Sequence, residues 1–514
     1  MKTRLRALFC DHLSVMRGKY LPHSKIGDGS TRFCLSVFGT HYDRDLLDAP
    51  GAKVKQGLPD MELIWRHDDI RDGWEPSTQV VLGNLLDEEG QPLALCPRGA
   101  LKRAVAAWQA KGLNPKVGIE LEAFALQADE RGRLMPYDAP GGVVYGTGAF
   151  ADPLRFNDRI WEMADDLGFS LDMLTAEFDT PQFEYTLTFD DAVKAVDDIV
   201  LFRLMAREIA LEYGIVLTFM PKPVAEAGGS GMHINFSFTD ESGGNALSSG
   251  PRGGPDHMND LARGCVAGLV QHHQGLSGLI APTANSYMRL QPGSLSGYWQ
   301  NWGGDHRNVT TRISGEGGAK ARLEHRMADA SANPYTAVAA VLQAALLGVD
   351  NNYALGPIET GDGFDRNDAK TSTAIDLKGA VADLQADTAL AQAVGPELVA
   401  NHVYMKQKEV RKTRDLEVGS HLELNLGMTS DGQPLTQVRA YAKVVVIKKP
   451  GPDRKVLVAT QLVLIPRESW ELLYSHITYA QIKKLKGRIR TDGAAEAKER
   501  RRQELDRLRH RDKM

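Results

Sequence analysis

Apolar and polar positions alternate like a strand along Val117-Gly118-Ile119-Glu120-Leu121-Glu122 before the run turns wholly apolar at Ala123-Phe124-Ala125-Leu126. That is the two-residue period of a strand with one buried face, and it puts Glu120 and Glu122 on the same side. The same period runs through Met232–Phe238, where His233, Asn235 and Ser237 share the face opposite the apolar residues. It recurs in Gln182–Phe189, with Gln182 and Glu184 two apart, and in Arg322-Leu323-Glu324-His325-Arg326. Further strands are predicted at Leu5–His12, Phe33–Phe38 and Ile215–Met220, and a hairpin at Val438–Lys448 and Lys455–Ile465 around Lys449-Pro450-Gly451-Pro452. Helical spacing marks Ala100–Lys111, Arg155–Leu167, Asp191–Tyr213, Asp260–Leu279, Ala337–Val349 and Ala374–Glu409, and the mixed-charge segment Ala494–Met514 reads as a solvated helix. Strands and helices together predict an α+β chain. Pro97-Arg98-Gly99 punctuates it after a strand-rich start, and the pattern changes again near Arg411. The expected domains are therefore 1–98, 99–410 and 411–514.

Composition changes this picture little. At 514 residues, 42% hydrophobic and 25% charged, the chain is an ordinary globular one with room for two or three cores. A net charge of −5 gives no overall reason to expect a nucleic-acid or membrane partner, although residues 411–514 hold 23 Lys+Arg against 13 Asp+Glu. Cys10, Cys34, Cys96 and Cys265 form no Cys-x-x-Cys pair, which fits a reducing cytoplasm. The apolar run Ala7–Cys10 is too short for a signal peptide, and no stretch approaches a transmembrane span.

The chemistry gathers around the first strand. Two carboxylates side by side on a strand repel each other unless they are hydrated or face a cation. A lone Glu-x-Glu is far more often a solvated edge strand. Later stretches, however, offer Glu177, Glu184, His233 and Glu324 as further hard ligands, which points to a two-metal site that holds phosphates. Gly228-Gly229-Ser230-Gly231 suits close backbone approach to a ligand, but no Walker loop and no dinucleotide fingerprint is present. Arg289, Arg307, Arg312, Arg322 and Arg326 fall within one Gly- and aromatic-rich segment and suggest recognition of several anions.

Taken in order, these stretches resemble the glutamine synthetase family. They are Gly118–Glu122, Glu177 with Gln182-Phe183-Glu184, Lys222-Pro223, Gly229–His233, Asn285–Leu290, Arg307, Arg312, Arg322–Arg326 and Asn333-Pro334-Tyr335. Asp11 with Arg17-Gly18-Lys19, Asp60-Met61 and Cys96-Pro97-Arg98 resemble the N-terminal β-grasp module of its γ-glutamyl-amine ligase branches, those acting on polyamines or monoamines. The resemblance implies that β-grasp module ahead of a catalytic domain built on an open antiparallel β-barrel with surrounding helices. It implies two Mg²⁺ or Mn²⁺ ions, one on Glu122, Glu177 and Glu184 and the other on Glu120, His233 and Glu324. It implies an ATP-dependent ligase that activates the γ-carboxyl of glutamate as an acyl phosphate for attack by a nitrogen nucleophile. Arg307 would face the transferring phosphoryl group, and Arg312, Arg322, Asn235 and Ser237 the nucleotide. Gly229, His233, Arg289 and Arg326 would bind glutamate. A homo-oligomeric ring, dodecamer or hexamer, with sites between subunits is implied as well, and no adenylylation motif is seen.

The departures concern the nucleophile. Members that use ammonia carry Arg-Leu-x-Pro-Gly-x-Glu-Ala-Pro, whereas here Arg289-Leu290-Gln291-Pro292-Gly293-Ser294-Leu295-Ser296-Gly297 puts Leu295 at the glutamate position. An apolar side chain cannot take a proton from ammonium but packs against the carbons of an amine. Tyr145 falls near the family's nitrogen-site tyrosine, and Gly228 replaces the usual Asn. The expectation is a ligase for an organic amine. The alternatives are authentic glutamine synthetase using Asp43 or another carboxylate, and a non-catalytic nitrogen-sensing or scaffold relative.

Overall fold

The computed structural model describes residues 4–130, 132–362 and 366–411 with their side chains, the backbone of 412–414, and the strands within 421–464. The chain divides into two compact units after Arg411.

The first unit opens with seven strands: β1 (Arg4–Cys10), β2 (Met16–Pro22), β3 (Gly29–Cys34), β4 (Asp60–Trp65), β5 (Arg71–Asp72), β6 (Thr78–Leu82) and β7 (Asn84–Leu86). They form a four-stranded sheet of order β2-β1-β6-β5 and a three-stranded sheet of order β3-β4-β7. The strand expected over Phe33–Phe38 stops at Cys34, and Leu35–Gly39 is a 3₁₀ turn. Leu35 and Phe38, three apart, are both buried there, and a three-residue turn is what brings such a pair to one side. Their core is made from residues 5–96 together with Met405.

After α1 (Pro97–Gln109) come β8 (Asn114–Ala128), β9 (Leu134–Pro136), α2 (Phe156–Asp166), β10 (Leu171–Ala176), β11 (Gln182–Asp191), α3 (Ala192–Glu212), β12 (Ile215–Thr218) and β13 (Met232–Thr239). The remainder of the unit is α4 (Asp260–Gln271), α5 (His273–Ile280), α6 (Ser286–Arg289), β14 (Trp302–Gly303), β15 (Thr311–Ile313), β16 (Leu323–His325), α7 (Pro334–Asp350), α8 (Leu377–Ala386), α9 (Thr388–Val394) and α10 (Pro396–Arg414). Nine strands form one sheet of order β10-β11-β8-β13-β16-β15-β14, with β9 and β12 also paired to β8. The two end strands do not pair, so this is an open sheet rather than a closed barrel. It is not wholly antiparallel either, since β14 and β15 run parallel.

One face of that sheet is apolar. Val117, Ile119 and Leu121 of β8, Phe183 and Tyr185 of β11, and Ile234 and Phe236 of β13 are buried against the helices. The alternation written in β8 thus buries one side and frees the other for chemistry. Behind the sheet, α7 is buried along almost its whole length against α4. The small residues are needed there: a Cβ on Gly268 would lie 2.0 Å from the Ala344 carbonyl oxygen, and one on Gly348 would lie 2.1 Å from that of Gly264.

Two expected long helices are broken. Asp260–Leu279 becomes α4 and α5, separated at His272, whose Nδ1 lies 2.7 Å from the Asp387 carboxylate. Ala374–Glu409 becomes α8, α9 and α10, because Asp387 caps α9 and Gly395 (φ 135°) followed by Pro396 stops it. No helix among the described residues is long and apolar enough to cross a membrane.

The second unit contains β17 (His421–Ser430), β18 (Gln433–Lys448) and β19 (Leu457–Leu464), an antiparallel sheet in that order. The β18–β19 pair falls where the hairpin was expected, and β17 is an additional strand. The solvated helix expected at 494–514 lies outside the described residues.

Candidate active site

Strand register assembles the site. On β8, Glu120 lies opposite His233 of β13, and Glu122 opposite Glu184 of β11. Asn235, two residues along β13, faces Glu324 of β16, which in turn faces Arg312 of β15. Because side chains alternate and the strands are in register, these groups form a polar row across the sheet face opposite the core.

The row is tightly bonded. Glu120 lies 2.9 Å from His233 Nδ1 and accepts from Asn235 Nδ2 at 3.0 Å. Glu122 accepts from Gln182 Nε2 at 3.1 Å and from the Gly231 amide at 2.7 Å. Glu324 is bracketed by Arg312 at 2.8 Å and by Arg326, and lies 3.7 Å from His233 Nδ1. Donor atoms of Glu120, Glu184 and His233 all fall within 4.8 Å of one another. The expected grouping of Glu184 with Glu122 and Glu177 is therefore only part of its surroundings, since it also stands beside the Glu120–His233 pair.

Electrostatics separate the carboxylates. Burial opposes ionisation of Glu120, but the His233 hydrogen bond and charge, helped by Arg326 and Asn235, outweigh it and hold the carboxyl at about 2. Glu184 has no such partner. Burial first, then repulsion from Glu120, Glu122 and Glu177, pushes it up to about 9. Burial and Glu122 raise Glu177 in the same direction. A divalent cation among these groups would reverse that balance. Five carboxylates and one imidazole are an oxygen-rich, hard donor set that fits Mg²⁺ or Mn²⁺.

The row opens on a cavity of about 740 Å³, whose lining includes Glu120, Glu122, Glu177, Glu184, His233, Gly229, Arg289, Arg307, Arg312 and Arg326. Tyr145 and Leu295 lie on its wall, together with Met173, Phe178, Asp179 and Lys222. A second cavity of about 420 Å³ is lined by Asn235, Ser237, Arg322 and Lys116, and shares Glu120 and Met173 with the first. Of the two arginines expected beside the nucleotide, Arg312 lines the first cavity and Arg322 the second, and Arg312 is also tied to Asp305. Arg322 pairs with Glu316 at 2.6 Å. Arg289 is buried, which lowers its pKa, and its guanidinium donates to the carbonyls of Met327 at 2.9 Å and Arg326 at 3.3 Å. The Gly-rich loop makes room for it: a Cβ on Gly229 would meet Arg289 Cγ at 2.6 Å, and one on Gly231 would meet its guanidinium at 2.6 Å. Asp43 accepts from the Asp45 amide at 3.0 Å and lies 3.3 Å from His41 Nδ1, and it lines neither cavity within this chain.

Sequence reasoning missed Met173, Phe178 and Asp179. The last two lie inside the Glu177–Glu184 stretch, so their position was available even though their role was not.

Comparison with known proteins places the site in context. The family model described as glutamine synthetase, catalytic domain, matches residues 94–421. Gamma-glutamylputrescine synthetase of Escherichia coli (strain K12) is 32% identical over 381 residues, 70% of this chain and 78% of its own. Glutamine synthetase of Halobacterium salinarum is 30% identical over 334 residues, 63% of this chain and 73% of its own. The solved structure "Apo GmaS without ligand" superposes with a TM-score of 0.69 at 27% identity, covering 80% of this chain and 94% of that one.

Proposed function

Since the chain belongs to the glutamine synthetase family, we propose that it is an ATP-dependent ligase joining the γ-carboxyl of glutamate to an organic amine through a γ-glutamyl phosphate. The ligase part is supported by a register-built carboxylate row facing a cavity flanked by arginines. The choice of an amine over ammonium rests on one observation: Leu295, apolar and unable to accept a proton, lies on the wall of that cavity.

On this reading ATP lies across the second cavity against Asn235, Ser237 and Arg322, with its phosphates reaching Arg312. Glu120, Glu122, Glu177, Glu184, His233 and Glu324 would hold two divalent cations, which supply charge neutralisation to the phosphates. Glutamate lies along Gly229 and His233, its α-carboxylate clamped by Arg289 and Arg326, so that its γ-carboxylate meets the terminal phosphate in line. Arg307 offers charge to the phosphoryl group in transit. The amine nitrogen then attacks the acyl carbon, phosphate leaves, and the nitrogen gives up a proton. Tyr145 and Leu295 wall the amine. The two N-terminal sheets serve as the β-grasp module (1–98), the nine-stranded open sheet as the catalytic framework (99–410), and residues 411–514 as an addition without an assigned role. A ring of identical subunits in the cytoplasm completes the reading; light scattering measures the ring.

ADP release with glutamate and ATP, first with ammonium and then with a panel of mono- and diamines, tests it. Faster turnover with at least one amine than with ammonium is expected. Faster turnover with ammonium than with every amine would make the chain a glutamine synthetase. Nucleotide binding without turnover would leave it a scaffold.

A further inference from the structure

Building on the ligase reading, we propose that Asp179 anchors the α-ammonium of glutamate, and that Gly228 lacks a side chain in order to admit it. Asp179 lies in the connection between β10 and β11 and lines the first cavity beside Gly228, Gly229 and Arg289. Its place is held from two sides. Oδ2 accepts from the Gly228 amide at 2.5 Å, and its own carbonyl accepts from the Gln182 amide at 2.9 Å. The backbone at Gly228 is not left-handed, so conformation does not demand glycine there. Space does: a Cβ at 228 would lie 2.7 Å from Asp179 Oδ2 and 3.5 Å from Gln182 Oε1.

Gly229, the next residue, packs its backbone against Arg289. A carboxylate and a guanidinium thus flank the same two glycines. An α-amino acid presents one negative and one positive group on a single carbon, and these two side chains match that pair in sign and adjacency. The amine nucleophile is a poorer occupant. It must attack the carbonyl carbon of the γ-carboxyl group, at the far end of glutamate from the clamp around its α-carboxylate. The glycine in place of the family's usual Asn is therefore half of an exchange, in which a carboxylate from the β10–β11 connection takes over the space.

Asp179→Asn, which keeps an acceptor for the Gly228 amide, is compared with the parent enzyme in the presence of Mg²⁺ and the best amine of the panel. The expected result is a ten- to hundred-fold rise in KM for glutamate with KM for the amine and ATP unchanged. Preference for glutamate over glutarate, which lacks the amino group, should fall by a similar factor. An unchanged glutamate KM, or a rise confined to the amine, overturns the proposal. Gly228→Asn alone should also raise glutamate KM, yet add nothing once Asp179 is Ala; additive effects would overturn the exchange. Failure of the ligase reading is distinguishable, since it shows as no turnover of glutamate by the parent enzyme. Glutamate binding to parent and Asp179→Asn by calorimetry then decides the role of Asp179 by itself: equal affinity overturns it.

Discussion

Replacing Glu184 by Gln should stabilise the metal-free protein while destroying its response to magnesium. Glu184 is 9% exposed, so water screens it little, and its folded pKa of about 9 stands above the ordinary 4.5. The folded state therefore holds the proton more tightly than the unfolded chain. Its favourable contribution is complete below pH 4.5 and is lost as pH climbs towards 9. At pH 8 the unfolded chain has gained about 3.5 pH units of ionisation that the folded state lacks, worth about 5 kcal/mol at 1.36 kcal/mol per unit. Glutamine keeps the shape without the charge, but its amide needs partners, which costs about 1–3 kcal/mol. The net expectation in EDTA is a variant more stable by about 2–4 kcal/mol at pH 8, with a gap that closes between about pH 7 and pH 5 and reverses below that, where only the amide's cost remains. Urea unfolding of both proteins from pH 5 to pH 9 measures this. With Mg²⁺ the order inverts, because the parent gains a ligand's binding energy and the variant has lost a donor. A pH-independent gap in EDTA, or a parent stability that does not fall above pH 5, would refute the reasoning. A variant that keeps the whole magnesium increment would remove Glu184 from the metal set.

The remaining predictions touch other parts of the molecule. Leu295→Glu places a carboxylate on the cavity wall and should raise kcat/KM for ammonium relative to the best amine at least tenfold, by roughly 1.4 kcal/mol of differential stabilisation; an unchanged ratio in the ADP-release assay would detach Leu295 from the nucleophile. Arg307→Ala should lower kcat by about two to three orders of magnitude with ATP affinity retained, the pattern of a group that acts on the phosphoryl in transit. Equal losses in affinity and turnover would make Arg307 a binding residue instead. Gly268→Val drives a side chain into the Ala344 carbonyl and should cost about 3 kcal/mol or more, read as a lowered thermal midpoint in circular dichroism.

Much of the architecture was legible because burial writes a period into the chain. Val117–Glu122 and Met232–Phe238 each show one apolar and one polar face, and those faces are the core and the site. Local breaks were less legible. Asp260–Ile280 keeps helical spacing on both sides of the polar run Gln271-His272-His273-Gln274, and what divides it there is His272 reaching Asp387, a partner 115 residues away. The strand expected over Phe33–Phe38 shows the opposite case, in which a short apolar run is used at a spacing of three to fill a core.

The site divides along the same line. That Glu120 and Glu122 share a face follows from a period of two, whatever the rest of the fold does. That Glu120 meets His233 follows only from the β8–β13 register, which joins positions 113 apart and which no local spacing encodes. Resemblance supplied that register indirectly, as an ordered series of stretches, and so it named the donors and cations without their partners. Arg312 shows this: the resemblance assigned it to the nucleotide, but not its contacts with Asp305 and Glu324, which only the β15–β16 register supplies. Gly228 shows it again. Read one position at a time it is only a missing side chain where the family usually has Asn. Set against Asp179 at 2.5 Å it is the space one carboxylate needs, and a substitution at either residue has to be judged by the other.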